Sequence, residues 1–506
     1  MVAVFNFGGQ YAHLIARRVR DIGVKSELIS PDISLQDLRK LNPQALIFSG
    51  SPHSVYEKNA PRINPAIYKL NIPILGICYG QQLIAHQLSG RVRANESKQF
   101  GKEIVSIKNS PLFKNISARE TVWFSHGDHV DKLPKGFRVI ASTKSVPIAA
   151  IQNIETHTFG IQFHPEVTHT VHGEQILKNF LFDIAKAEMD WDLKEIVKST
   201  IATIKKNIGN DKIIMAVSGG VDSLVAATLI KEAAPKNLYL VFIDTGLMRK
   251  GEIEEVGNII NTVGFKNFKI INASEIFLKS LRGIIDPEKK RKVIANLYFK
   301  VFEDEAERIS NVRFLGQGTI YPDRIESAKT SKHADKIKSH HNVTLPKGLK
   351  LEIIEPIADL YKDEVRKVGA LLNIPQDFLS RHPFPGPALA IRILGEVTEE
   401  RLSILRNVDS IFISELKSSG IYNKIGQAFA ALLPIKAVGV MGDARTYSYI
   451  VSLRSVDTTD FMTADWSKIP YDILEKISAR IVNEVRGVNR VLYDITQKPP
   501  ATIEYE

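Results

Sequence analysis

The sequence predicts an α/β protein: two doubly wound, mainly parallel α/β domains followed by a smaller C-terminal α+β domain. Three observations point there. Short apolar runs, each closed by a glycine-containing turn, alternate with stretches of helical spacing over most of the chain before residue 383. The proline-rich run His382-Pro383-Phe384-Pro385-Gly386-Pro387 can be neither helix nor central strand, and it interrupts the alternation. The length of 506 residues suits roughly three domains. The expected domains are 1–188, 189–383 and 384–506.

In the first segment, Val2 to Asn6 reads as a strand, and Tyr11, Leu14, Ile15 and Val19 follow at helical spacing. Ala45 to Phe48 and Ile72 to Ile77 read as further strands. Ligands of doubly wound sheets bind beyond the carboxyl ends of the strands, and Gly8, Gly50 and Cys78 all fall at such ends. The second segment opens near Trp191 with a helix, Leu193 to Asn207. Strands follow at Ile213 to Val217, Leu238 to Ile243 and Val312 to Leu315. The last two end at Asp244-Thr245-Gly246 and Gly316-Gln317-Gly318-Thr319. The charged run from Asp286 to Lys292 opens a helix and reads as a solvated face. Residues 324 to 350 are polar and basic without apolar periodicity, which predicts a mobile lid rather than core. Beyond the prolines, helices at Arg401 to Lys417 and Tyr471 to Val485 mix with strands at Tyr447 to Leu453 and Arg490 to Thr496.

Hydrophobic residues at 44% and charged residues at 24% describe an ordinary soluble globular chain. No apolar stretch reaches the roughly 18 residues of a membrane span. Met1 to Phe5 lacks the basic start and cleavage site of a signal peptide. One cysteine cannot form an intrachain disulfide, so a cytoplasmic protein is expected. The net charge of +11 invites nucleic acid or anionic small substrates. No zinc-finger spacing or RNA-recognition signature accompanies it, so no nucleic-acid partner and no membrane partner is expected.

Gly76-Ile77-Cys78-Tyr79-Gly80 has the spacing of a nucleophile elbow with cysteine in place of serine. An apolar strand enters and a helix, Gln81 to Leu88, leaves. The flanking glycines allow a tight turn that exposes the sulfur, and the helix N-terminus favours the thiolate. A thiol nucleophile needs a base and an orienting group. His164 and Glu166, in Phe159-Gly160-Ile161-Gln162-Phe163-His164-Pro165-Glu166, are two apart and point to one side of an extended chain. Together these residues resemble the class I glutamine amidotransferases over the whole first segment. The resemblance implies glutamine hydrolysis through a γ-glutamyl thioester, with Cys78, His164 and Glu166 catalytic. It also implies oxyanion and glutamine contacts at Gly50, Tyr79 and Gln82, and a substrate-facing loop at Ser125-His126-Gly127-Asp128. Ser51 and Gln81 stand where glycine and methionine are commoner.

Ser218-Gly219-Gly220-Val221-Asp222-Ser223 lies between an apolar strand and a helix, an arrangement that gathers backbone N–H groups around an anion. No G-x-x-x-x-G-K-[ST] pattern occurs, so this is not the nucleoside-triphosphatase loop. It resembles the pyrophosphate loop of the ATP pyrophosphatases, which leave an adenylylated substrate. Three longer stretches, 320 to 327, 338 to 342 and 498 to 506, with Arg381 to Pro387, resemble the glutamine-hydrolysing GMP synthetase family over essentially the full chain. That resemblance implies XMP, ATP and glutamine as substrates, ammonia kept from water by fusion in one chain, and a homodimer formed through the last segment. It places Ser218, Gly219, Gly220, Val221, Asp222, Ser223, Asp244 and Gly318 on ATP, and Asp222 near Mg²⁺. It places Asp323, Glu326, Lys338 and His340 on or beside the lid, and Arg291, Gln427, Lys498, Ile503 and Glu504 on XMP. Tyr505 stands where tryptophan is usual.

The nearest rival is another amidotransferase-coupled adenylating enzyme such as an NAD synthetase, which would lack the XMP-binding tail. An RNA thiolation enzyme commonly carries sulfur on a cysteine near the ATP site, and this chain has none after Cys78. A non-enzymatic regulatory protein would not need an intact Cys-His-Glu set.

Overall fold

The computed structural model describes residues 1–330, 351–441, 444–458, 461 and 463–506; the side chains of 95–98, 326–330 and 441 also lie outside the description. The chain divides into two compact units, Met1–Asp192 and Leu193–Glu506.

The first unit is built on one nine-stranded sheet. In chain order its strands are β1 (Val2–Phe5), β2 (Ser26–Ile29), β3 (Ala45–Phe48), β4 (Ile74–Ile77), β5 (Arg91–Ile107), β6 (Arg119–Lys132), β7 (Arg138–Ser142), β8 (Ala150–Asn153) and β9 (Thr158–Ile161). Their spatial order is β2-β1-β3-β4-β9-β8-β7-β5-β6. The run from β2 to β9 is parallel, and the pairs from β9 to β6 are antiparallel. Every residue of β1, β3, β4 and β9 is buried, as expected of parallel strands covered on both faces. β6 instead alternates buried and partly exposed residues along most of its length, the mark of a strand with one wet face. Ser125 to Asp128 lie inside β6, so the loop expected there is strand.

The second unit contains a five-stranded parallel sheet of β10 (Lys212–Ala216), β11 (Leu238–Asp244), β12 (Asn267–Asn272), β13 (Val312–Gly316) and β14 (Glu352–Ile354). The order is β12-β11-β10-β13-β14. Chain direction across the sheet reverses between β10 and β13, which makes their carboxyl ends the natural crevice. A second sheet holds β15 (Gln427–Met441), β16 (Ala444–Asp457), β17 (Asp465–Trp466) and β18 (Val488–Asp494), with β15 and β17 antiparallel to β16 and β18 parallel to it.

Most expected elements fall within a few residues of those observed. Helices occupy Leu193–Ile208, Glu399–Ser418 and Tyr471–Glu484. Two further expectations change. Tyr321–Thr330 is a helix, so the start of the expected lid is regular structure, while residues 331–350, with Lys338 and His340, lie outside the description. The charged run that opens helix Pro287–Arg308 is not wholly solvated, because Lys290 has no exposed surface. That helix starts where Asp286 accepts the Lys289 N–H at 2.8 Å and Pro287 occupies the first turn, the usual chemistry of a helix N-terminus.

The segment after β18 is packed. Fully buried Arg454 donates to the carbonyls of Thr496 at 2.5 Å and Thr502 at 3.1 Å. Ile503 joins Phe429, Val456 and Ala464 in a small apolar core.

Two candidate active sites

Cys78 sits between β4 and helix Tyr79–Gln87 at φ 56°, ψ −107°. A non-glycine residue held at positive φ costs about 1–3 kcal/mol, which the surroundings must absorb. The Cys78 N–H donates to Ile161 of β9 at 2.8 Å, and the glycines let the helix press onto the sheet. A Cβ on Gly80 would lie 2.3 Å from the Phe48 carbonyl oxygen, and one on Gly76 would lie 2.5 Å from the Gly80 carbonyl carbon. The turn does not expose the sulfur as expected, since Cys78 is only 6% exposed. The thiol points at the Ser125 carbonyl oxygen at 3.7 Å and receives the Gln162 amide at 3.6 Å.

His164 and Glu166 follow β9 in a turn rather than in extended chain, yet His164 Nδ1 and Glu166 Oε1 are 2.7 Å apart. Their side chains are 4% and 0% exposed. The His164 N–H donates to Trp123 O at 3.0 Å, Thr170 Oγ1 donates to His164 O at 2.6 Å, and Tyr11 packs edge-on against the imidazole at 5.0 Å. Glu166 occupies Nδ1 and so leaves Nε2 for the sulfur. Burial alone would favour the neutral ring, but the Glu166 carboxylate and then the Cys78 thiol outweigh it and raise the imidazole well above its ordinary value. His126 behaves oppositely. Burial lowers it to about 4, so the ring is neutral, with Nδ1 2.8 Å from Asp128 O.

The expected oxyanion and glutamine residues surround this pair in different ways. A Cβ on Gly50 would stand 3.7 Å from His164 Cε1, so the β3 turn faces the imidazole. Tyr79 opens the helix, while its hydroxyl donates to Pro61 O at 2.6 Å inside the core. Gln82 donates to Asp128 O at 2.8 Å and to the Gln162 side-chain oxygen at 3.2 Å. Its amide therefore ties β6 to the residue that touches the sulfur.

In the second unit, the loop Ser218–Ser223 joins β10 to helix Val221–Ala233, with Gly219 at φ 77°. Ser223 Oγ receives the Ser218 N–H at 3.2 Å and donates to Gly220 O at 3.0 Å, which holds the loop closed. No side chain caps the helix N-terminus, so its first N–H groups face an adjoining cavity of about 430 Å³. Gly318, Asp323, Lys362, Arg381 and Phe384 also line this cavity. A Cβ on Gly318 would lie 3.1 Å from Ser223 Cα, so the turn after β13 lies directly against the loop. Asp222 Oδ2 accepts from Lys362 Nζ at 2.5 Å, whereas its buried Oδ1 has no partner among the described residues. Arg381 pairs with Glu252 and donates to Gly219 O at 3.3 Å. Asp244 is not part of the cavity lining; its Oδ1 accepts the Gly246 N–H at 2.9 Å and shapes the turn after β11. Asp323 Oδ2 accepts the Ile320 N–H at 3.3 Å. The Glu326 side chain is outside the description.

Of the residues expected on XMP, Gln427 and Glu504 meet. Glu504 takes both Nε and Nη2 of fully buried Arg392, at 3.0 and 2.8 Å, and the Gln427 amide at 2.8 Å. The Arg392 guanidinium lies over Phe429 at 4.1 Å and Phe384 at 5.1 Å, so this cluster adjoins the cavity through Phe384. Ile503 packs beside it. Arg291 donates to Glu506 O at 2.6 Å. Lys498 turns elsewhere and donates to Phe461 O at 2.7 Å.

Comparison with known proteins separates the candidate families. A model described as glutamine amidotransferase class-I matches residues 3–184, and one described as the GMP synthase C terminal domain matches residues 414–505. Proteins named GMP synthase [glutamine-hydrolyzing] align along the entire chain. Those of Carboxydothermus hydrogenoformans, Thermosipho melanesiensis and Aquifex aeolicus are 52%, 51% and 50% identical, each covering 100% of this chain and 99% of the relative. The chain belongs to the glutamine-hydrolysing GMP synthase family.

In this member of the GMP synthase family, several groups around the two sites were not assigned from sequence. Gln162 at the sulfur, Lys362 on Asp222, Arg381 on Glu252 and Arg392 on Glu504 are each far along the chain from their partners. Gln162 sits in the same short stretch as His164, and Arg381 begins the proline-rich run, so both carried a local signal. Lys362 and Arg392 carried none. Among the described residues, no helix is long and apolar enough to cross a membrane.

Proposed function

We propose that this ATP-using enzyme carries out glutamine-dependent GMP synthesis with Cys78, His164 and Glu166 releasing ammonia and the Ser218–Ser223 loop supporting adenylylation of XMP. The observation that carries this reading is the buried His164–Glu166 pair at 2.7 Å beside Cys78, in one chain with a loop whose Asp222 lines a cavity of about 430 Å³.

At the thiol centre, Glu166 fixes the imidazole so that Nε2 takes the Cys78 proton. The thiolate attacks the side-chain amide carbon of glutamine, and the oxyanion meets backbone N–H groups at Tyr79 and the Gly50 turn. His164 returns the proton to the departing nitrogen, ammonia leaves, and water cleaves the thioester to glutamate. In the cavity, the XMP O2 oxygen attacks the α-phosphorus of ATP, and pyrophosphate departs against the helix N-terminus. Ammonia then adds to the purine carbon and AMP leaves with the former O2, giving GMP. Among the described residues no group of three or more His, Cys, Asp or Glu could hold a metal unaided. The unpartnered Asp222 Oδ1 is the oxygen suited to Mg²⁺, which takes few carboxylates and completes its shell with phosphate oxygens and water. Mg²⁺ would neutralise charge on the departing pyrophosphate.

We also propose domain limits at 1–188, 189–383 and 384–506, a cytoplasmic location, and a homodimer formed through the β15–β16 ribbon. That ribbon exposes Ile435, Val438, Val440 and Tyr447, an apolar patch suited to a second copy. Sedimentation should find a dimer, and V438D with V440D should yield monomer.

The direct test follows AMP, pyrophosphate and GMP from XMP, ATP and glutamine, with IMP and nicotinate adenine dinucleotide as alternative acceptors. Stoichiometric AMP and GMP from XMP alone are expected. ADP and orthophosphate as products would overturn the mechanism.

A further inference from the structure

Lys290 is a charged side chain with no exposed surface. A buried ammonium is tolerated only when its protons find acceptors. Lys290 has three, and it spends them on Ile393 O at 2.7 Å, Ala390 O at 3.2 Å and Glu506 Oε2 at 2.5 Å. Two of these acceptors belong to the turn that carries Arg392, the residue gripping Glu504. The third belongs to the residue two beyond Glu504. Glu506 is itself held at three points, because Gly395 N donates to its Oε1 at 3.3 Å and Arg291 Nη2 donates to its main-chain oxygen at 2.6 Å. One residue thus joins Lys290, Arg291 and the Arg392 turn. The same helix, Pro287–Arg308, lines the nucleotide cavity one and two turns later through Ile294 and Tyr298.

We propose that Glu506 is a positioning residue for the XMP site: its carboxylate on buried Lys290 and its main-chain oxygen on Arg291 fix where Arg291 and Glu504 stand. The inference rests on the reading that Arg291 and Glu504 contact XMP. Glu506 and Lys290 touch no substrate in this account. They hold the tail and the helix in one register, so that two groups contributed from distant parts of the chain reach one ligand together. A charge-assisted pair with all its protons placed gives the geometric precision that a solvated pair lacks.

The test is steady-state kinetics with ammonium as the nitrogen donor, so that the thiol centre does not enter. Glu506→Gln should raise the KM for XMP by about tenfold, the loss of one charge-assisted hydrogen bond. The KM for ATP should stay within about twofold, since that ligand is held by other groups. Glu506→Asp should recover much of the XMP affinity. If Glu504→Gln weakens XMP and Glu506→Gln does not, the XMP site stands and the positioning role falls. If neither Glu504→Gln nor Arg291→Gln changes the KM for XMP, the site itself has been misplaced. Equal loss of ATP and XMP affinity with a lowered melting temperature would reduce the pair to general scaffolding and overturn the proposal. Should Glu506→Gln not fold, Lys290→Met with Glu506→Met removes both charges. Raised XMP KM at wild-type melting temperature supports the proposal, and unchanged KM overturns it.

Discussion

The thiol centre of the first unit and the nucleotide cavity of the second treat buried charge differently. At the thiol centre the charged groups are already committed to one another and sealed: His164 and Glu166 are almost fully covered and 2.7 Å apart. In the cavity one charge pair is parked where a ligand can compete for it. Lys362 and Asp222 keep side-chain exposures of 30% and 25%, and Asp222 Oδ1 is left without a partner. The difference follows the chemistry. Glutamine is bound as a zwitterion whose reacting amide is neutral, so the machinery can be assembled in advance. ATP brings a large charge of its own, so the proposed receiving site holds its charges in exchangeable form.

Four variants test this contrast. Cys78→Ala should abolish glutamine-driven GMP formation by about six orders of magnitude, the scale of losing a nucleophile, while ammonium-driven synthesis persists. Loss of both activities would show that the two sites are not separable. Glu166→Gln should cost about 10⁴-fold in glutaminase turnover, because the imidazole loses its orienting anion. It also carries a pH signature. The folded value of His164 is raised, so its contribution to stability is complete below the unfolded value of about 6.5 and fades as pH rises through the folded value. The melting-temperature gap between wild type and Glu166→Gln should therefore narrow on the alkaline side. A gap that widens there would show that the ring is held neutral. Asp222→Ala should lower synthesis by about 10³-fold with either nitrogen source, the scale of losing one electrostatic stabiliser of the transition state, because the proposed Mg²⁺ would lose its carboxylate. Retained pyrophosphate release would remove the loop from the chemistry. Gly80→Ala should cost about 3 kcal/mol in denaturant unfolding, by overpacking helix against sheet, because its Cβ would meet the Phe48 oxygen at 2.3 Å. Wild-type stability in that variant would show that the helix can shift without loss.

Legibility in the sequence followed the range of the interactions. Strands β1, β3, β4, β10, β11 and β13 were read to within a few residues because burial on both faces leaves uninterrupted apolar runs, whereas the parallel strands β2, β9, β12 and β14 were not read. The Cys78 turn was readable because its constraint is local: two glycines within two residues of the sulfur. The antiparallel half of the first sheet was missed, since in β6 the buried positions include Glu120, His126 and Asp128 as well as Val122, Phe124 and Val130, so no apolar alternation marks the strand. His164 and Glu166 were matched correctly, but extended-chain geometry was the wrong reason; a turn brings them together. Lys290 was misread because a run of basic residues normally remains wet, and its acceptors at Ala390, Ile393 and Glu506 lie 100, 103 and 216 positions away. The Lys362–Asp222 and Arg392–Glu504 pairs, 140 and 112 positions apart, were hidden for the same reason. No local pattern specifies which distant charge will meet which.

The solitary sulfhydryl has a practical corollary. With one cysteine in 506 residues, a thiol-selective reagent that adds a single mass increment has marked the proposed nucleophile. Intact-mass titration then doubles as a census of competent deamidase centres, and glutamine protection of that adduct reads ligand occupancy directly, without any turnover measurement.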